Sequence, residues 1–167
     1  MTRKIIFTIF LSPVLLLVGY SEAQTIDKEP LVIKNLIIKE AKSLNFPPEI
    51  ALAVAHAESN FNSHAVSPKG ARGIMQIMPS TALGEYGVPS HLLFVPKVNI
   101  RIGIHFLGRL LFQYDNRIKY ALSYYNGGTA VGPSKNPRII PATKNYVERV
   151  IKLKNIYLNH LTNHGGK

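Results

Sequence analysis

The sequence predicts a mostly α, single-domain fold with little β structure. Three observations carry that expectation. Apolar residues recur at helical spacing through most of the chain, Pro and Gly punctuate the intervals between them, and no stretch alternates as a half-buried strand does. With 167 residues and 46% hydrophobic content, the chain suffices for one packed core and falls short of two comfortable ones.

The elements follow in order. Ile33, Leu36, Ile37, Ala41 and Leu44 share one face of a first amphipathic helix, with Glu29 and Glu40 expected on its exposed side. Residues 45–47 break it. Pro48 suits a first helical position because its missing N–H is not needed there. A second helix, apolar nearly all round and therefore central, runs to about Glu58, with Glu49 favourably placed in its first turn. Residues 60–72 are rich in Asn, Ser, Pro and Gly and read as loop or short irregular β structure. Pro79 opens a short helix to about Tyr86. Asn99 is expected to cap a long helix whose inner face carries Ile100, Ile104, Leu107, Leu110 and Leu111. Gly103 and Gly108 inside that helix suggest close approach of a neighbouring segment. Residues 120–125 form a short helical piece, followed by a loop to Pro141. Tyr146, Val147, Val150, Ile151, Leu153 and Leu158 mark a last helix, and residues 162–167 read as a frayed polar tail.

Residues 1–23 read as a secretory signal peptide. Arg3 and Lys4 precede an apolar stretch interrupted by Pro13, and Ser21 and Ala23 supply the small residues that a signal peptidase reads. The alternative is an uncleaved membrane anchor, for which the apolar run is short. Cleavage leaves residues 24–167 as the exported domain, in the periplasm, with no stable membrane anchor. The absence of cysteine excludes disulfides, thiolate metal sites and a lipoprotein anchor. A net charge of +11 favours polyanionic partners, and an exported address favours an acidic wall polymer over nucleic acid. Six histidines form no His-Glu-x-x-His pattern, and His56 and Glu58 lie two apart on a helix, so neither a metal nor any other cofactor is expected.

Among the acidic residues Glu58 stands apart, because it lies where an apolar helix meets a Gly-rich segment. Desolvation there favours the neutral form, which a general acid needs at working pH. A structural end-of-helix group is the competing reading. Residues 72–76, Arg-Gly-Ile-Met-Gln, offer close backbone approach at glycine and an amide at Gln76 suited to sugar hydroxyl or acetamido groups. A turn followed by core Ile and Met competes with it. Residues 124–128, Tyr-Tyr-Asn-Gly-Gly, offer an aromatic face for a sugar ring, or simply a helix C-terminus.

Taken in order, these stretches resemble the soluble lytic transglycosylase family, whose fold is lysozyme-like. The matching residues are Glu58-Ser59-Asn60-Phe61, residues 67–79 (SPKGARGIMQIMP), Asn99-Ile100 with Gly103, Tyr125-Asn126-Gly127-Gly128 and Tyr146-Val147. The resemblance spans roughly residues 36–153. It implies cleavage of the β-1,4 bond between N-acetylmuramic acid and N-acetylglucosamine in peptidoglycan glycan strands, with Glu58 as single acid and base and a 1,6-anhydro product. It also implies glycan-holding roles for Ser59, Met75, Gln76, Tyr125 and Asn126, and an orienting role for Tyr146. Likeness to the small specialised members implies local wall opening for a secretion, conjugation or pilus apparatus. A hydrolytic lysozyme and a weakly active glycan-binding scaffold are the alternatives. One position departs from the family pattern: Ala142 stands where Glu is expected.

Overall fold

The structure is a computed structural model that describes residues 14–164, with side chains from residue 29 to residue 163. The expected signal segment therefore lies partly outside the described residues. The described residues form six α-helices: α1 (Val14–Ser43), α2 (Pro48–Ser59), α3 (Pro79–Tyr86), α4 (Pro96–Gln113), α5 (Ile118–Gly127) and α6 (Lys144–His164). Short 3-10 turns lie at Ser90–Phe94, Gly128–Val131 and Pro141–Thr143. Among the described residues, β structure is limited to two isolated bridges, Val66 with Arg72 and Arg72 with Ile77. No described helix is long and apolar enough to cross a membrane.

Helix α2 is the axis of the core. Residues 50–55 are all buried, as its unbroken apolar composition requires. It packs between α1, through Ile33, Ile37 and Ala41, and α6, through Tyr146, Val147 and Val150. Proline at its first turn starts it. Its end is abrupt: Asn60 (φ 51°) and Phe61 (φ 68°) are both left-handed. Asn tolerates that region, whereas Phe adopts it only when held. Here Phe61 is buried against the rings of His56 and Tyr157, which holds it. The chain thus turns sharply within three residues of Glu58.

Four expectations need correction. Glu40 is not on the exposed side of α1: it is 4% exposed, accepts a 2.8 Å hydrogen bond from Arg101 and has Lys97 at 3.9 Å, both from α4. The carboxylate joins α1 to α4 by burying itself against the two cations of α4. Asn99 does not cap α4, which starts at Pro96; it lies one turn in, fully buried, with its side chain turned toward the loop before α3. The helix α5 extends through Asn126 and Gly127. Thr162 and Asn163 are helical, and the Thr162 hydroxyl bonds back to the carbonyls of Leu158 and Asn159. Gly103 bears out the close approach. A Cβ there would meet the Met75 Sδ at 2.4 Å, so α4 and the loop come together only because that atom is missing. Gly108 faces Phe46 at ordinary contact distance.

Candidate active site

The site is assembled around the 60–78 loop, whose shape is fixed from beneath. The Asn99 amide makes three hydrogen bonds: Nδ2 donates to the carbonyls of Arg72 (2.8 Å) and Leu93 (2.9 Å), and Oδ1 accepts from the Met75 N–H (2.7 Å). Gly73 (φ 73°) leaves no room for a side chain, since a Cβ would lie 2.2 Å from the Leu93 carbonyl oxygen. Ser59 donates to the Ile74 carbonyl at 2.7 Å and so pins the loop to the last turn of α2. The Tyr125 hydroxyl from α5 donates to the Met75 carbonyl at 2.7 Å. Three helices therefore set the position of one irregular segment.

That segment borders a cleft. One part, about 360 Å³, is lined by Glu58, Ser67, Lys69, Gln76, Tyr125 and Asn126, among others. A second, about 300 Å³, extends past Thr81, Glu85, Phe106 and Tyr124. Gln76, Met78, Tyr125 and Asn126 line both parts, so the two are halves of one groove meeting at the Gln76–Asn126 junction. The aromatic and amide groups on its walls are those that hold sugars. Of the carboxylates bordering it, Glu85 is paired with Arg109. Glu58 has no cation in hydrogen-bonded contact among the described residues.

Glu58 is the chemically distinctive group. Its Oε1 accepts a 2.7 Å hydrogen bond from the Tyr146 hydroxyl of α6. Burial raises its pKa from the ordinary 4.5 to about 7, opposed in part by the Tyr146 hydrogen bond and by the positive charge of Arg149. A carboxyl balanced near neutrality can give up a proton in one step and take one back in the next. Burial, together with the nearby Glu58 charge, drives the Tyr125 and Tyr146 phenols well above their usual range, so both remain donors.

The site residues expected from sequence thus divide. Glu58, Gln76, Tyr125 and Asn126 border the groove, and Tyr146 meets Glu58. Gln76 is itself left-handed (φ 48°), and its Nε2 is committed to the carbonyls of Ala65 and Gly73, which leaves Oε1 for a ligand. Ser59 spends its hydroxyl on the loop. Met75 does not form a wall: its side chain is fully buried against Gly103, and it contributes through its backbone. Sequence reasoning missed Asn99 as the loop's anchor and missed Arg149, whose Nη2 donates to the Ala57 carbonyl at 2.6 Å. The spacing of Arg149 from Tyr146, three residues on a helix, is the signal that points to it.

The model of the transglycosylase SLT domain family matches residues 35–146. The chain belongs to this family. The soluble lytic murein transglycosylase of Escherichia coli is 34% identical over 110 residues, covering 61% of this chain and 17% of that protein. The membrane-bound lytic murein transglycosylase C of Haemophilus influenzae is 30% identical over 138 residues, covering 71% of this chain and 39% of that one. The chain therefore spans well under half the length of these relatives. Among solved structures, an inactive Glu-to-Gln mutant of lytic transglycosylase Slt from Pseudomonas aeruginosa superposes with a TM-score of 0.69 at 28% identity, over 81% of this chain and 25% of that one. The 70-kDa soluble lytic transglycosylase in complex with bulgecin A gives 0.65 at 28% identity, over 76% and 24%. The SLT domain described here accordingly has the mostly helical, lysozyme-like fold.

Proposed function

We propose that this SLT domain is a peptidoglycan lytic transglycosylase that cleaves the β-1,4 bond between N-acetylmuramic acid and N-acetylglucosamine. The observation that carries the reading is Glu58: a half-buried carboxyl, held by Tyr146 and raised to about 7, bordering a groove whose other bordering acid, Glu85, is paired. A single acid of this kind suits an intramolecular reaction. Neutral Glu58 protonates the departing glycosidic oxygen as the bond to the muramic acid C1 breaks. The substrate's acetamido group eases the charge at C1. The resulting carboxylate then takes the proton of the muramic acid C6 hydroxyl as its oxygen bonds C1. The product is a 1,6-anhydromuramoyl end, Glu58 is neutral again, and no water is consumed. This differs from the paired-carboxylate scheme of most glycosidases.

Gln76 and Asn126 hold the glycan by hydrogen bonding, Tyr125 gives a sugar ring an apolar face, and Tyr146 orients Glu58. The positive charge suits an acidic wall polymer. Residues 1–23 direct export, residues 24–167 act in the periplasm, and the enzyme opens the wall locally for an envelope-spanning apparatus.

Mass spectrometry of digested sacculi tests the chemistry. Anhydro ends from the parent protein and none from Glu58→Gln are expected; reducing ends would make it a hydrolase, and full activity of the variant would overturn the role of Glu58. Co-purification with an envelope complex is the expected result for the partner assignment, and a persistently solitary enzyme would overturn it.

A further inference from the structure

We propose that Arg149 is a positioning residue for Glu58, clamping the last turn of α2 so that the acid completes the second half of the reaction as a carboxylate. The inference rests on the transglycosylase reading above. Its geometric basis is a two-point hold from one face of α6. Tyr146 and Arg149 lie three residues apart and so project side by side. Tyr146 bonds the Glu58 carboxyl at 2.7 Å, and Arg149 bonds the carbonyl of the preceding residue, Ala57, at 2.6 Å.

The location makes a cation useful there. The last four carbonyls of a helix lack intrahelical partners, and Ala57 is among those of α2. The same helix end carries the negative pole of the backbone dipoles, which opposes a charged carboxylate. A guanidinium bonded to that turn supplies the missing donor and offsets the dipole at once. Its charge also favours ionised Glu58 and opposes protonation of His56 two residues earlier. The remaining titratable or charged groups around Glu58 do not replace it. Tyr146 and Tyr125 are neutral donors, Lys69 reaches the same cavity from an exposed turn without an ion-pair partner among the described residues, and His56 is engaged with the Tyr157 hydroxyl at 2.8 Å. Arg149 is the cation that is anchored.

The test measures kcat and KM of the full chain on sacculi across pH, for the parent protein, Arg149→Gln and Arg149→Lys, each below its melting temperature. Arg149→Gln is expected to lower kcat about tenfold with KM nearly unchanged, and to move the alkaline limb of the profile to higher pH. Arg149→Lys is expected to restore part of both. A fall in kcat with an unmoved limb, and with Lys no better than Gln, would reduce Arg149 to a structural staple and overturn the proposal. If Arg149→Gln does not fold, raised salt replaces it, because it screens an exposed guanidinium; a parent limb that does not rise with salt then overturns the proposal. Failure of the underlying reading looks different: the parent protein itself would release no anhydro ends.

Discussion

Glu40 and Glu58 are both glutamates turned inward from helices, and the chain equips them in opposite ways. Glu40 sits between α1 and α4 with the Arg101 guanidinium on one oxygen and the Lys97 ammonium near the other. Glu58 sits between α2 and α6 with a neutral phenol on one oxygen and a groove before it. The first carboxylate joins two helices; the second is kept near neutrality. Burial alone therefore does not equip a carboxyl for the acid–base role proposed for Glu58. What matters is whether the partner is a full charge in direct contact or a neutral donor beside open space.

The largest effect expected from this contrast is on activity. Under the proposed mechanism, in which one group serves both proton transfers, Glu58→Gln should lower release of anhydro ends by about 10³-fold or more. Glu40→Gln should stay within about twofold per folded molecule. Equal losses in the two variants would erase the distinction.

Stability should reverse the order. Glu40→Gln leaves two cations facing a neutral amide, and urea denaturation should show a loss of about 1–3 kcal/mol, less than for a fully buried pair because Arg101 and Lys97 are partly exposed. Gly103→Ala acts on the element that serves both regions, since α4 carries Arg101 and also seats Met75. The added Cβ collides with Met75, and a loss of about 1–3 kcal/mol is expected in the same assay, with activity falling as the loop is displaced.

The smallest and sharpest effect is the pH slope. The folded-state pKa of Glu58 lies above the ordinary 4.5, so between about 4.5 and 7 the folded protein holds the extra proton. The stabilisation is complete below 4.5 and is lost as pH rises through about 7. Thermal melts of the parent protein should therefore fall across that window relative to those of Glu58→Gln, whose side chain does not titrate. Parallel curves would mean that Glu58 is not desolvated.

Much of the fold was legible because helical periodicity and proline punctuation are local. The apolar run of α2, the prolines that open α2 and α3 and the inner face of α4 follow directly from residue order. What escaped was long-range. Glu40 read as exposed because its own helix offers no reason to bury it; the reason is Arg101, 61 positions away. Asn99 read as a cap because Asn is a good one, while its actual partners lie in two other segments. Met75 took its glycan-holding role from the family resemblance, whereas the competing reading of the residues themselves, a turn followed by core Ile and Met, is the one the structure bears out, with the Met75 side chain buried against Gly103 of α4. Glu58 was singled out by composition, yet its contact with Tyr146, 88 positions on, followed only from resemblance to a family.

Asn99 has a consequence for how this protein tolerates change. One planar amide with an acceptor and two donors serves three backbone groups on two separate stretches, the 60–78 loop and the turn at Ser90–Phe94. Asp retains the acceptor and loses both donors, Gln carries the amide one carbon too far, and Leu fills the space and strands three polar groups. A saturation library at this position should thus collapse to essentially one letter, although the residue is fully buried and never meets the groove. A variant effect map of the domain would place one of its least forgiving positions beneath the floor of the groove rather than on it.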